Sequence, residues 1–230
     1  MFLSICLLAL LAGSALAYDG RVTVNYGYGQ GWSNGGEFDI DIVNWNDPNG
    51  WTTQVTPRYP YPAQQHSEFA TFCVQERQYF YPGHTYDFDV STRSNTGENI
   101  ELDPKTAYLF HKWNSGQLGD YNYSGAGSHP RGQDGRDLQV LFWMYQLQRP
   151  YSHGALSEQA KAWDTEATTA VSNGTWHGFG NVRIMQLHGS DFPNAQDQLY
   201  EQLVPEPGSI ALLATGALGL LPLLRRRRTS

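Results

Sequence analysis

Apolar runs at both ends of this 230-residue chain have the marks of membrane and export segments, and they leave residues 18–203 to build the fold. At the C-terminus, Val204-Pro205-Glu206-Pro207 leads into a mainly apolar run from Gly208 to Leu224, which stops at Arg225, Arg226, Arg227 and Arg228. As a helix rising about 1.5 Å per residue, the 17-residue run reaches roughly 25 Å, a little under the ~30 Å hydrocarbon core of a bilayer. It spans with slight thinning or snorkelling, and the arginines hold their end in the cytoplasm, so everything before Val204 lies outside. Pro205 and Pro207 each remove an N–H and bias the preceding residue away from helix, keeping an extended strip just above the membrane. At the other end, Met1 to Ala17 is apolar and closes on Ala15-Leu16-Ala17, the small-x-small pattern that signal peptidase cleaves. Cys6 leaves with that peptide, so the mature chain begins near Tyr18 and keeps one cysteine, Cys73, which cannot form an internal disulfide.

The order of parts at the C-terminus resembles the PEP-CTERM sorting signal. In that family a Pro-Glu-Pro motif, a short transmembrane segment and a basic cluster are recognised by an exosortase, a membrane cysteine protease-transpeptidase. Pro205-Glu206-Pro207, the Leu/Ala/Gly run and Arg225 to Arg228 match each part; a plain C-terminal anchor would share only the apolar span and the charge. The resemblance implies that residues 204–230 are an address label. It implies export, transient anchoring in the inner membrane by the C-terminal helix, and delivery to the cell envelope or the extracellular matrix.

The 186 residues between the two signals suffice for one domain with a proper core and are awkward for two. Setting aside the tail arginines and Glu206 leaves 11 basic and 21 acidic residues in that span, a net charge of about −10. Phosphate-rich partners are repelled by such a surface, which excludes nucleic acid. Abundant Gly, Asn, Tyr and Trp with little Lys suit turn-rich β structure. The fold expected is α+β: a single β-rich domain of sandwich-like strands with a few helices.

Alternation around Val22 and Val24, and of Phe38, Ile40 and Ile42 with Glu37, Asp39 and Asp41, predicts two half-buried strands. Trp45 to Pro62 reads as a loop, with four prolines and Asp47-Pro48-Asn49-Gly50. Phe69 to Gln75 and Thr85 to Val90, joined through Pro82-Gly83, read as a hairpin with Cys73 in its first strand. Asp103-Pro104 starts a helix carrying Ala107, Tyr108, Leu109 and Trp113. Gly116 to Gly135 reads as a polar loop, after which Asp137 caps an apolar helix from Leu138 to Tyr145 that Pro150 closes. Ser157 to Val171 is a further helix, stopped by Asn173-Gly174, and Val182 to Leu187 is a final strand.

Several motifs carry no chemistry. Gly27-Tyr28-Gly29-Gln30-Gly31 lacks the strand-to-helix context of a phosphate loop. Asp39 with Asp41, and Asp87 with Asp89, share strand faces but have no Gly-turned calcium loop. Histidines 66, 84, 111, 129, 153, 177 and 188 have no ligand spacing, so neither metal nor cofactor is expected. No local signature makes Cys73 the nucleophile of a hydrolase, and the chain is read as a non-enzyme. Taken alone, Cys73 is a small buried hydrophobe in an apolar strand.

The middle of the chain, roughly 69–148, is similar to the secreted thioester domains of bacterial surface adhesins. Those share an aromatic-Cys in a strand, an Ala-Tyr-Leu helix with a Ser-Gly-x-Leu turn, and Leu-Gln-x-Ala-Ile-Trp. The matches are Phe72-Cys73, Ala107-Tyr108-Leu109 with Ser115-Gly116-Gln117-Leu118, and Leu138-Gln139-Val140-Leu141-Phe142-Trp143. The resemblance implies an internal thioester between the Cys73 sulfur and the Gln139 side-chain carbonyl, supported by Phe72, Leu138 and Trp143. A thiolate held against a carboxamide expels ammonia and leaves an acyl group open to capture by an amine or hydroxyl. The chain departs from the pattern at Leu141, where the family has a small alanine; a larger side chain there either repacks or closes the site. Two functions follow from the sequence. One is a structural or carbohydrate-binding component of an exopolysaccharide matrix, whose aromatic, Asn- and Gly-rich loops suit stacking on sugars. The other is a covalent adhesin that captures a surface ligand.

Overall fold

The computed structural model describes residues 18–30, 35–45, 69–95, 99–124, 131–148, 153–189 and 195–202. Both end segments, residues 1–17 and 204–230, therefore lie outside the described residues, as do Pro205 to Pro207, Arg225 to Arg228 and nearly all of the loop expected over 45–62. Among the described residues no helix is long and apolar enough to cross a membrane. The elements run β1 (Gly20–Gln30), β2 (Gly36–Trp45), β3 (Phe69–Thr71), β4 (His84–Ser91), α1 (Pro104–Asn114), α2 (Arg131–Tyr145), α3 (Glu158–Ser172), β5 (Val182–His188) and β6 (Gln198–Glu201).

All six strands form one antiparallel sheet in the order β3-β2-β1-β4-β5-β6. The α+β class is as expected, but the strands make a single sheet where a sandwich would need two. That sheet is nearly closed. Beyond β3 the chain leaves β2 and pairs with β6, through Val74 N–H to Asp197 O (2.9 Å), Leu199 N–H to Phe72 O (2.9 Å) and the bridge Cys73↔Gln198. The expected hairpin between the cysteine strand and Thr85–Val90 is therefore absent: β3 pairs with β2, and β4 pairs with β1 and β5. Pro82-Gly83 does turn the chain, with Gly83 at φ 81°, but it delivers β4 to β1.

Strand alternation sorts the side chains onto two cores. Val22, Val24, Phe38, Ile40, Phe69, Cys73, Tyr86, Phe88, Met185, Leu187 and Tyr200 form one core, which Trp143 of α2 joins. Phe72, Val74, Val182, Ile184 and Leu199 face the other way, toward the helices. There Phe72 meets Trp113 and Phe142 edge-on at centroid distances of 4.7 and 5.3 Å. Such pairs contribute about 0.5–1.5 kcal/mol each beyond their burial, so Phe72 pins the Cys73 segment to the helical layer.

The helices begin where side chains satisfy their free N–H groups. Asp103 caps α1 by accepting from Lys105 N–H at 2.7 Å with Pro104 following, and Ser157 caps α3 by accepting from Ala160 N–H at 3.0 Å. Helix α2 differs from its expected extent. It starts at Arg131, inside the stretch read as a loop, so Asp137 is a mid-helix residue that accepts from Ser157 Oγ (2.5 Å) and Gln133 Nε2 (2.9 Å). Its end at Tyr145 is the expected one; just beyond it Leu147, at a φ of 57°, lets Gln148 N–H close back onto Trp143 O at 2.8 Å. Buried residues lie on nearly every face of α2, which packs against β1, β2, α1 and α3.

Candidate functional site

Cys73 and Gln139 meet where the sheet closes. In the bridge Cys73↔Gln198 the flanking residues make the ladder bonds to β6, so the N–H and C=O of Cys73 point into the gap that β2 has vacated. The Gln139 carboxamide from α2 fills this gap like a short piece of strand. Cys73 N–H donates to Oε1 at 3.2 Å, and Nε2 donates to Cys73 O at 2.7 Å. The thiol donates to the same Oε1 at 3.1 Å. Because the carbonyl carbon is only ~1.2 Å from Oε1, the sulfur is within about 4.3 Å of the carbon it would attack. Both residues are fully buried.

Electrostatics at the sulfur run against a resting thiolate. Burial pushes the Cys73 thiol far above its ordinary range, outweighing the Trp143 indole N–H and Cys73's own N–H, which favour the charged form. The resting pair is thus a neutral thiol beside a neutral amide. Among the described residues no imidazole contributes to the shift of the Cys73 thiol.

The supporting residues divide between the two cores. Trp143, one turn beyond Gln139, enters the sheet-side core with Cys73, whereas Phe72, Leu138 and Leu141 belong to the helix-side core with Ala107 and Leu109. Leu141, the departure from the adhesin pattern, is therefore accommodated among the helices and does not cover the pair. Cover comes from Gly35 just before β2. A Cβ there would stand 2.6 Å from Gln139 Cγ and 2.9 Å from the Trp143 ring, at a φ of +105° that few L-residues adopt.

A buried ion pair that the sequence does not announce sets this register. Glu37 and Arg131, 0% and 5% exposed, join through two bonds, Arg131 Nη2 to Oε2 at 2.7 Å and Nε to Oε1 at 2.8 Å. Tyr121 donates its hydroxyl to the same carboxylate, and Arg131 Nη1 donates to Tyr123 O at 2.6 Å. Glu37 lies two residues after Gly35, and Arg131 opens α2 eight residues before Gln139, so the pair locks the start of β2 to the start of α2. A second polar cluster surrounds Asp197, which accepts from Asn95 N–H (2.5 Å), Gln75 Nε2 (2.8 Å) and Leu187 N–H (3.3 Å). Burial raises its carboxyl from 3.8 to about 7 despite those donors.

The aspartates weighed as cation ligands have other partners: Asp87 pairs with Arg21 (2.9 Å), Asp89 with His188 (3.1 Å), and Asp41 accepts from Asn25 (3.0 Å). Among the described residues no group of three or more His, Cys, Asp or Glu could hold a metal ion. Compared with known proteins, the chain matches no family model, and neither a curated protein nor a solved structure aligns with it significantly.

Proposed function

We propose that the chain is an exported cell-surface or matrix protein that captures a partner covalently through an internal thioester between Cys73 and Gln139. The observation that carries this reading is the three-point contact of the Gln139 carboxamide with Cys73: Oε1 takes both the backbone N–H and the thiol, and Nε2 is held on the carbonyl. The amide is oriented, its oxygen already has a donor for developing negative charge, and its nitrogen is the group that must leave. Burial also protects such a bond from water before a partner arrives. Capture consumes the site once, so the protein is not an enzyme. The exosortase and signal-peptidase steps belong to the same proposal: cleavage near Pro205 to Pro207 delivers residues 18–203 to the envelope or beyond. A fluorescent primary amine incubated with the protein tests the capture step. Expected is incorporation mapped to Gln139, with Cys73 released as a free thiol; incorporation no greater than in Gln139→Ala contradicts it.

A second reading, binding of matrix polysaccharide, is favoured by exposed tyrosines. Tyr79 and Tyr81 are 76% and 51% exposed on the segment leading into β4, and Tyr81 lies 5.5 Å from the His84 ring. Such faces stack on sugars. Retardation of the protein in a polysaccharide-containing gel, lost in Tyr79→Ala/Tyr81→Ala but kept in Gln139→Ala, would separate this function from capture.

A further inference from the structure

Trp143 is 3% exposed, yet its indole N–H has no acceptor of ordinary hydrogen-bond geometry. Buried N–H groups are nearly always paired, so one left open needs a reason. The Trp143 ring lies beside the Gln139 side chain, both packed against Gly35, and shares one core with Cys73, whose charged form its N–H favours. The donors at the reacting pair thus differ in state: Cys73 N–H is bonded to Oε1, and the indole N–H in the same core is unspent.

We propose that the Trp143 indole N–H is the sulfur-side donor of this site, holding the Cys73 thiolate as it attacks Gln139 and again as an amine expels it. The proposal rests on the thioester reading. In formation, Sγ bonds to the Gln139 carbonyl carbon, the C–Nε2 bond breaks, and nitrogen takes the thiol proton and leaves as ammonia. In capture, the incoming nitrogen bonds to that carbon, the C–S bond breaks with its electron pair going to sulfur, and the proton shed by the amine returns there. Nothing is oxidised or reduced. Both steps place negative charge on a sulfur that burial otherwise strongly keeps neutral. A donor with little to bond in the resting state and a full charge to bond in the transition state lowers the barrier, because its contribution appears only there.

The test compares methylamine capture, followed by mass, in the full chain purified in mild detergent and in two variants. Trp143→Phe removes the N–H with some loss of ring. Site-specific benzothienylalanine at 143 keeps the indole outline and replaces N–H by sulfur, so it isolates the donor even where the phenylalanine variant fails to fold. The expected result is capture slowed about tenfold or more in the benzothienylalanine protein, the usual scale for losing one hydrogen bond to a charged group. A folded variant that never loses ammonia supports the proposal equally, since formation passes through the same thiolate. Wild-type capture rates in that protein overturn the inference alone. A wild-type chain that retains its ammonia overturns the thioester reading, and the inference with it.

Discussion

Replacing Gly35 by alanine adds one methyl group at the cover of the Cys73–Gln139 pair, and its cost separates into two parts. The φ of +105° is a region L-residues rarely adopt, a strain of about 1–3 kcal/mol. The new Cβ would also stand 2.6 Å from Gln139 Cγ and 2.9 Å from the Trp143 ring, an overpacking of about 1–3 kcal/mol more. Gly178→Ala is the control, because Gly178 has a φ of +60° with nothing within 4 Å of its Cβ position. It carries left-handed backbone strain of about 1–2 kcal/mol without any overpacking. Urea unfolding of residues 18–203 should therefore place Gly35→Ala at least about 1 kcal/mol below Gly178→Ala. Amine capture should fall sharply in Gly35→Ala alone, since Gln139 must move to admit the methyl. Equal stability of the two variants with unchanged capture would show that Gly35 does not hold the carboxamide on Cys73.

Arg131→Met leaves the Glu37 carboxylate buried without its cation and should cost about 3–5 kcal/mol in urea unfolding, whereas the double variant Glu37→Leu/Arg131→Met should recover much of that loss; additive costs would contradict a coupled pair. Asp197 sets a pH dependence. Its carboxyl is raised in the fold from 3.8 to about 7, so between those values the folded state holds more protons than the unfolded chain. Its stabilising contribution is present below about pH 4 and is lost as pH rises to about 7, by at most about 4 kcal/mol at 1.36 kcal/mol per pH unit. Unfolding free energies measured from pH 4 to 8 should show that decline, and Asp197→Asn should remove it; an unchanged slope in the variant would refute the assignment.

How much of this was legible in the sequence depended on whether the signal was local. Val22 with Val24, and Phe38 with Ile40, alternate within a few residues and do lie in adjacent strands, and Asp103-Pro104 and Ser157 mark real helix starts. The start of α2 was hidden because Arg131-Gly132-Gln133-Asp134-Gly135 has the composition of a turn. Its helical state is tied to Arg131 meeting Glu37, 94 residues earlier, and Asp134 accepting from Asn122 N–H, and neither contact has a sequence pattern. Glu37 itself looked like the solvated half of a strand alternation. Sheet closure between the Cys73 segment and β6 is likewise a pairing over more than 120 residues, invisible to any short window. Cys73 and Gln139 were singled out by their likeness to a family motif; alone, each would have passed for a core residue. The role of Gly35 follows only from where the chain brings it.

The mass of the purified wild-type protein, measured under denaturing but amine-free conditions, tests the central claim most directly. Formation of the Cys73–Gln139 thioester predicts a mass lower than the sequence requires by one molecule of ammonia, restored upward by one methylamine on treatment and absent in Cys73→Ala. A wild-type mass equal to that of the unmodified sequence, with a thiol that titrates once the protein is unfolded, would contradict the account and leave Gln139 as a strand-like cap on the backbone of Cys73.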